Sequence, residues 1–548
     1  MRRINILIFA VLLLILCCRT DGQEAGAPFP PLFAEARPFL SAIKNTRGAP
    51  LTAKITGLTV PHHLLAADLL AEAFARVSTQ GYRRIIILSP DHFARSRTPF
   101  AVAWRDFETC LGLLQVDQAA VQRLLENREV SISNLFSHEH GVQALLPFVA
   151  YYFPKAQVVA LVIHISATPA QWDSLAQSLA PLLDSRTLLV QSTDFSHYLP
   201  LAAARRKDQE TLRVLSVGDA EGVKDLSEPG HLDSRAAQYL QLRLQKEIFQ
   251  ARPTVIANRN SQEYTHEALN KTTSYIVQLY SQEPLPVEGS DTWFFAGDTF
   301  FGRYMAKVLA TRERREALVQ EILKITRGAR LIVNLEGVLQ KKCPLETHPF
   351  KLCMEDRVTL GILRRLNTRV VSLANNHSGD YGDDAYREMK RLLTCHGIKV
   401  LENRSIMNLG RFRLAAFTDV DNRQQPIAPR LSEKDLECLH RVNPGKPLFA
   451  LVHWGQEFAS TPAPREQLVA ARLADKGVEL IIGSHSHRAS PLTGTKYFCQ
   501  VFSLGNFIFD QRLPEVSGAL LEVTFFPMGT YFLRLHPMGN LYVKSTSR

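Results

Sequence analysis

A chain of 548 residues with 46% apolar and 21% charged side chains is too long for one hydrophobic core and too apolar for disorder. Its formal charge of +11 is dispersed: the densest cluster, Arg312-Glu313-Arg314-Arg315, is broken by a glutamate and suits a solvated helix face, so no nucleic-acid binding is expected. Outside the cytoplasm such a balance favours anionic partners, an envelope polymer or lipid headgroups.

Met1-Arg2-Arg3 and the apolar run from Ile4 to Leu16 form the charged and apolar regions of an export signal, assigned to residues 1–22. At about 13 residues the run falls short of the roughly 20 that span a bilayer. Cys17 and Cys18 follow, which points to a lipoprotein, but Leu16 is bulkier than a lipobox normally allows. Lipidation, simple cleavage and an uncleaved anchor all remain open, and each exports the chain to the cell envelope, with membrane association through the N-terminus in the first and last cases.

A proline-containing tether, 23–52, leads into a first α/β domain over 53–281. There the continuous apolar runs Arg84–Leu88, Val158–Ile163 and Thr187–Val190 alternate with helical stretches such as Leu64–Val77 and Ser234–Ile248. That alternation predicts a mostly parallel sheet covered on both faces. Its strand ends carry Pro61-His62-His63, Ser89-Pro-Asp-His92 and Ser192-Thr-Asp194-Phe-Ser-His197, while Ser137-His-Glu139-His140 opens a helix. Histidines and carboxylates gathered at strand ends suggest a pocket suited to iron or copper.

Residues 282–290 are rich in proline, glycine and charge and read as a linker. The second α/β domain, 291–548, repeats the strand logic with Trp293–Phe295, Leu331–Val333, Val370–Leu373, Leu448–Val452 and Leu480–Ile482. These strands run into Gly297-Asp298, Asn334-Leu-Glu336-Gly337, Asn375-Asn376-His377, His453-Trp454-Gly455 and Gly483-Ser-His485-Ser-His487. In an open α/β sheet the carboxyl ends of the strands line the ligand crevice, so these groups are expected to converge. Asp, Glu, Asn and His together suit a divalent ion such as manganese, zinc or iron that activates water.

Six cysteines follow the export segment, and none forms a Cys-x-x-Cys pair. Cys343 and Cys353 lie close in a loop; a disulfide between them and two separate thiols are both compatible with the sequence.

The ordered motifs Gly-Asp-Thr-Phe-Phe-Gly-Arg303, Asn-Leu-Glu-Gly337, Ala-Asn-Asn-His377, His-Trp-Gly-Gln-Glu457, Gly-Ser-His-Ser-His487 and Ser-Leu-Gly-Asn-Phe507 resemble the CapA family of poly-γ-glutamate and capsule synthesis proteins. The fold of that family resembles the calcineurin-like metallophosphoesterase sandwich. The resemblance implies Asp298, Glu336, Asn376, His453, His485 and His487 as metal ligands and His377 as the acid that protonates a leaving oxygen. Arg303 is a candidate clamp for an anionic oxygen, or else a structural ion pair. Asp298 is followed by Thr299 and Phe300 where a phosphoesterase has Asp-x-His, which leaves one metal or two open.

The first domain resembles the Memo family, also known as AmmeMemoRadiSam system protein B, whose fold is similar to class III extradiol dioxygenases. The likeness runs through Glu-His-Gly-Val-Gln143, Leu146-Pro-Phe148 and Asp-Phe-Ser-His197. It implies His62 and His92 as ligands of iron or copper, with Asp233 in place of a family cysteine. His140, Asp194 and His197 would line that pocket. Together the resemblances imply a metal-dependent hydrolase or transferase of capsule or exopolymer metabolism, acting on a phosphate ester, amide or polymer linkage. The competing readings are a polymer-binding assembly scaffold and a redox metal site in the Memo-like half. The sequence sets no oligomeric state.

Overall fold

The computed structural model describes residues 26–287, 289–344, 350–420, 431–437, 439 and 445–546. The export segment 1–22, with Cys17 and Cys18, and Cys438 fall outside the described residues. Among the described residues no helix is long and apolar enough to cross a membrane.

The described residues divide into two compact units, those of 26–51 with 62–192 and those of 52–61 with 193–546. In the first unit the strand Arg84–Pro90 pairs in parallel with Thr187–Ser192 and with Gln157–Ile163. Phe100–Val102 then joins antiparallel to Gln157–Ile163 and parallel to Val130–Ile132. The central strands are buried along nearly their whole length, as their unbroken apolar runs require when helices cover both faces. The expected helix at Leu64–Val77 forms as a 3₁₀ turn, Leu64–Ala66, followed by the α-helix Ala67–Val77.

In the second unit, the strands Ile55–Val60 and Arg252–Asn260 both pair antiparallel with Thr272–Ser281. The described residues of 291–546 then form two large sheets and a two-stranded ribbon, Val338–Gln340 with Cys353–Glu355. The first runs in the order Lys399–Leu401, Thr368–Ser372, Arg330–Leu335, Asp291–Thr299, Gly518–Phe525 and Tyr531–Gly539. The second runs Ser405–Asn408, Arg413–Thr418, Leu448–His453, Val478–Ser484, Cys499–Val501 and Leu492–Gly494. Phe295, Ile332 and Val370 of the first sheet pack against Leu414, Phe449 and Ile482 of the second in one buried cluster, which makes this part a sandwich. Helices Arg312–Thr326, Asp356–Arg365 and Gly382–Cys395 cover the other face of the first sheet, through Leu318, Leu363 and Met389. Two-sided cover explains why these strands read as continuous apolar runs.

The boundary between compact units differs from the linker at 282–290. Residues 193–281 join the C-terminal part because the helix Leu201–Val217 caps the edge strand Tyr531–Gly539. Gln209 exchanges hydrogen bonds with the backbone of Tyr531, its Nε2 donating to the carbonyl at 3.1 Å and its Oε1 accepting from the N–H at 2.8 Å. Ser216 Oγ accepts from Leu533 N at 2.9 Å. The buried Arg213 pairs with Glu479 and donates to Lys496 O at 3.1 Å. A helix that satisfies an exposed sheet edge in this way also prevents its pairing with another chain.

A disulfide joins Cys343 and Cys353, so of the two alternatives the sequence allowed, the bridge is the one formed.

Candidate metal centre

The site of the sandwich is built at the carboxyl ends of its central strands. Asp298 stands near the end of Asp291–Thr299, whose neighbour is drawn close by two glycines: a side chain at Gly297 would meet the Gly505 carbonyl at 2.0 Å. Asp298 N donates to that same carbonyl at 2.9 Å. The fully buried Asp298 carboxylate accepts from Asn334 Nδ2 at 2.8 Å and from the His485 backbone N–H at 3.0 Å, and lies 3.2 Å from His487 Nδ1. Burial works against its charge, but His487, His453 and Asn334 outweigh it and hold the carboxyl down at about 2.

Glu336 follows the strand Arg330–Leu335 and is equally buried. Burial first, and then the charge of Asp298, push its carboxyl up to about 7. One oxygen lies 3.8 Å from His453 Nε2 and 3.9 Å from His377 Nε2. The other, Oε2, has no hydrogen-bond partner.

His453, at the end of Leu448–His453, places Nδ1 2.9 Å from Ser484 Oγ and Nε2 2.9 Å from Asn376 Oδ1. Its basicity falls well below that of a free imidazole, from burial and then from His485. His485 and His487 both adopt left-handed backbone, with φ of 90° and 56°. For non-glycine residues that conformation costs on the order of 1–3 kcal/mol each, and such strain collects at ligand clamps. Burial and the neighbouring His487 bring His485 down to about 4, and its buried Nδ1 has no partner. Burial also opposes a proton on His487, but Asp298 outweighs it and raises this imidazole to about 9. Asn506 Oδ1 orients His487 from 2.7 Å while Asn506 Nδ2 donates to Gln511.

Two overlapping ligand sets result: Glu336, His453 and His485, and Asp298, Glu336 and His487, each with all its ligand atoms within 4.8 Å of one another. Glu336 belongs to both. The donor set fits a divalent ion of the manganese, zinc or iron type. So do the unpartnered Glu336 Oε2 and His485 Nδ1, since an unmet buried lone pair costs about 1–3 kcal/mol and a cation meets both.

His377 lies at the margin of these sets. Asp380 Oδ2, 2.8 Å from Nδ1 and anchored by Leu352 N at 2.7 Å, fixes the ring with Nε2 on the Glu336 side. Burial lowers its basicity, but Asp380 and Glu336 outweigh that and raise its pKa. Asn375 braces the turn, donating to Asn334 Oδ1 at 3.1 Å and accepting from His377 N at 3.1 Å. Arg303 is engaged by Asp510 in a two-pronged pair, Nη2 to Oδ1 at 2.6 Å and Nε to Oδ2 at 3.2 Å. Asp380 and Asp510 escaped notice in the sequence; the close spacing of His377 and Asp380 was the signal for the first, and nothing local marks the second.

In the first unit, His62, His92 and His140 form one group. His62 Nε2 lies 3.1 Å from His92 Nε2, while Ser192 Oγ stands 3.1 Å from His62 Nδ1 and Glu139 Oε1 2.6 Å from His92 Nδ1. A carboxylate on Nδ1 sets the tautomer in which Nε2 can serve as a metal ligand. The third member of this group is His140; Asp233, expected as the third ligand, is not in it. In the second unit, Asp233 Oδ2 accepts from Asp194 N at 2.9 Å and lies 3.8 Å from His197 Nε2. The sequence could not make this choice, because His140 comes from a helix-opening loop whose position only the fold determines.

The fold and the site together define an α/β sandwich with a buried acid–imidazole cluster that could hold a metal, preceded by a second α/β region with a three-histidine cluster. Residues 22–275 match the Memo-like protein family, and residues 292–401 and 420–511 match the bacterial capsule synthesis protein family PGA_cap, so the chain joins a Memo-like domain to a PGA_cap domain. The chain is 25% identical over 274 residues to the PGA biosynthesis protein CapA of Bacillus subtilis (strain 168), covering 45% of this chain and 68% of that protein. It is 26% identical over 205 residues to the capsule biosynthesis protein CapA of Bacillus anthracis, covering 33% and 50%. A MEMO1 family protein of Aquifex aeolicus (strain VF5) is 26% identical over 183 residues, covering 32% and 48%. The chain thus spans about two thirds of the first relative and about half of the other two.

Proposed function

We propose that the PGA_cap domain is a divalent-metal-dependent hydrolase or transferase centre that acts on a phosphate ester, amide or polymer linkage during assembly of a capsule or other anionic exopolymer. The observation that carries this reading is the pair of buried ligand sets sharing Glu336. Asp298, Glu336, Asn376, His453, His485 and His487 would hold manganese, zinc or iron, whose chemistry is to activate water and polarise the bond under attack. His377, whose pKa Asp380 and Glu336 raise against the effect of burial, would supply a proton from Nε2 to the departing oxygen or nitrogen. The likeness to CapA proteins supports the polymer context, and the run from Ile4 to Leu16 supports export to the envelope with attachment through the N-terminus.

The full chain, purified without added metal, is expected to carry one or two divalent ions in this domain. The double variant His485→Ala, His487→Ala is expected to lose them together with turnover of phosphomonoester, phosphodiester or γ-glutamyl substrates. Unchanged metal content in that variant, at full folding, would sink the proposal. Saturable polymer binding with no turnover of any substrate would leave an assembly role in its place.

His377→Ala is expected to retain the metal and to slow turnover by about 10²–10⁴ for substrates with poor leaving groups. Nitrophenyl esters, whose departing oxygen needs no proton, should be affected far less. An equal loss on both substrate types would remove His377 from the role of acid.

The three-histidine group supports a second metal centre in the first unit, with iron or copper as the candidate ions. His62→Ala with His92→Ala is expected to remove a fraction of bound metal that the His485/His487 variant leaves in place. If the two double variants deplete the same ions, or the first depletes none, this second centre does not exist.

A further inference from the structure

A cavity of about 650 Å³ lies in the second unit, and none of the residues proposed as ligands or as acid lines it. It opens between the helix Arg235–Phe249, the end of Leu201–Val217 and the edge strand Tyr531–Gly539, all within the second unit. Its volume is that of sites that enclose a small organic ligand.

The walls are largely apolar: Leu215, Leu242, Leu492 and Phe532 face one space with the backbone of Gly518 and Ala519. The only charged side chains in the lining are three cations, Lys246, Arg252 and Arg534, with no aspartate or glutamate among them. Arg534 is already committed, donating to Leu285 O at 2.9 Å and standing 3.7 Å from Glu522 behind the wall. Lys246 and Arg252 have no ion pair or side-chain hydrogen bond among the described residues, and both are exposed at the mouth. They flank the helix end, Lys246 in its last turn and Arg252 at the start of the next strand, so their charges stand at one rim of the apolar space.

An apolar chamber with two available cations at its rim is complementary to a molecule with an apolar body and an anionic head. From this juxtaposition we propose that the cavity binds an anionic amphiphile, a single acyl or alkyl chain in the chamber with its carboxylate or phosphate held by Lys246 and Arg252. No proposed metal ligand lines the cavity, and the site does not depend on the hydrolase reading.

The test is calorimetric titration of the metal-loaded full chain with dodecanoate, dodecyl phosphate and the uncharged dodecyl maltoside, each below its micelle concentration. Saturable binding of one or both anions near one per chain is expected, at least tenfold tighter than the maltoside. A preference for dodecanoate marks a fatty carboxylate as the ligand, and a preference for dodecyl phosphate marks a lipid phosphate. The surface variant Lys246→Glu, Arg252→Glu should weaken anion binding at least tenfold while leaving metal content and melting temperature unchanged. Leu492→Trp, which fills the chamber, should block all three probes. Absence of saturable binding, equal affinity for the maltoside, or full anion affinity in the charge-reversed variant would each overturn the proposal.

Discussion

Glu336→Gln is expected to empty the PGA_cap centre of metal while making the metal-free protein more stable. Glu336 is the one residue common to both ligand sets, so replacing its carboxylate by an amide weakens every position at which an ion would sit. Hard divalent ions are held chiefly by anionic oxygen, and the amide of glutamine supplies none of that charge. Metal analysis of the variant should therefore show less than about a tenth of the wild-type content, and turnover should fall in proportion. In the metal-free fold the same carboxylate is a burden: it is 1% exposed, has one oxygen without a partner, and is pushed up to about 7 by burial and by Asp298. A buried like-charge pair is unfavourable, so its removal should stabilise the metal-free chain by on the order of 1–3 kcal/mol. Since about 1 kcal/mol moves a domain of this size by roughly 2–4 °C, thermal unfolding in chelator should shift upward by a few degrees. A variant that keeps its metal, or whose metal-free form melts lower than wild type, would contradict this account of the site.

Arg213→Ala is expected to be the most damaging single change outside the metal centre. Its guanidinium is buried on the helix Leu201–Val217, pairs with Glu479, donates to Tyr531 Oη at 3.3 Å and to Lys496 O at 3.1 Å. Removing one partner of a buried pair strands the other, at about 3–5 kcal/mol; Glu479 is 31% exposed, which places the expected loss near the lower bound, about 3 kcal/mol. Because this network binds residues 193–281 to the sandwich, the loss should appear as a lower denaturant midpoint for the second unit, with the metal ligands untouched. Adding Glu479→Gln should recover part of it, since the stranded charge is then gone. A change under about 0.5 kcal/mol in the single variant would show that the network is a surface contact.

Both effects come from groups that the sequence presents very differently. Glu336 was legible as a candidate ligand because a polar Asn-Leu-Glu-Gly sequence ends an apolar run, and in an α/β sheet such ends share one edge. Arg213 was not legible: it lies in the amphipathic stretch Leu201–Val217, where an arginine ordinarily faces solvent, and its partners are hundreds of residues away.

The sequence by itself determined the two α/β parts, the strands that carry their clusters, and the gathering of Asp298, Glu336, His453, His485 and His487 at one edge. These follow from local pattern: apolar runs long enough for buried strands, stopped by polar groups. Only the tertiary structure decided the antiparallel strands Gly518–Phe525 and Tyr531–Gly539, the presence of His140 beside His62 and His92, and the bracing of His377 by Asp380. It also decided that residues 193–281 pack with the C-terminal sandwich across the linker at 282–290. Each of these depends on which surfaces meet across long stretches of chain. Hydrophobic burial and hydrogen-bond satisfaction choose those meetings through the whole fold, and no local spacing records the choice.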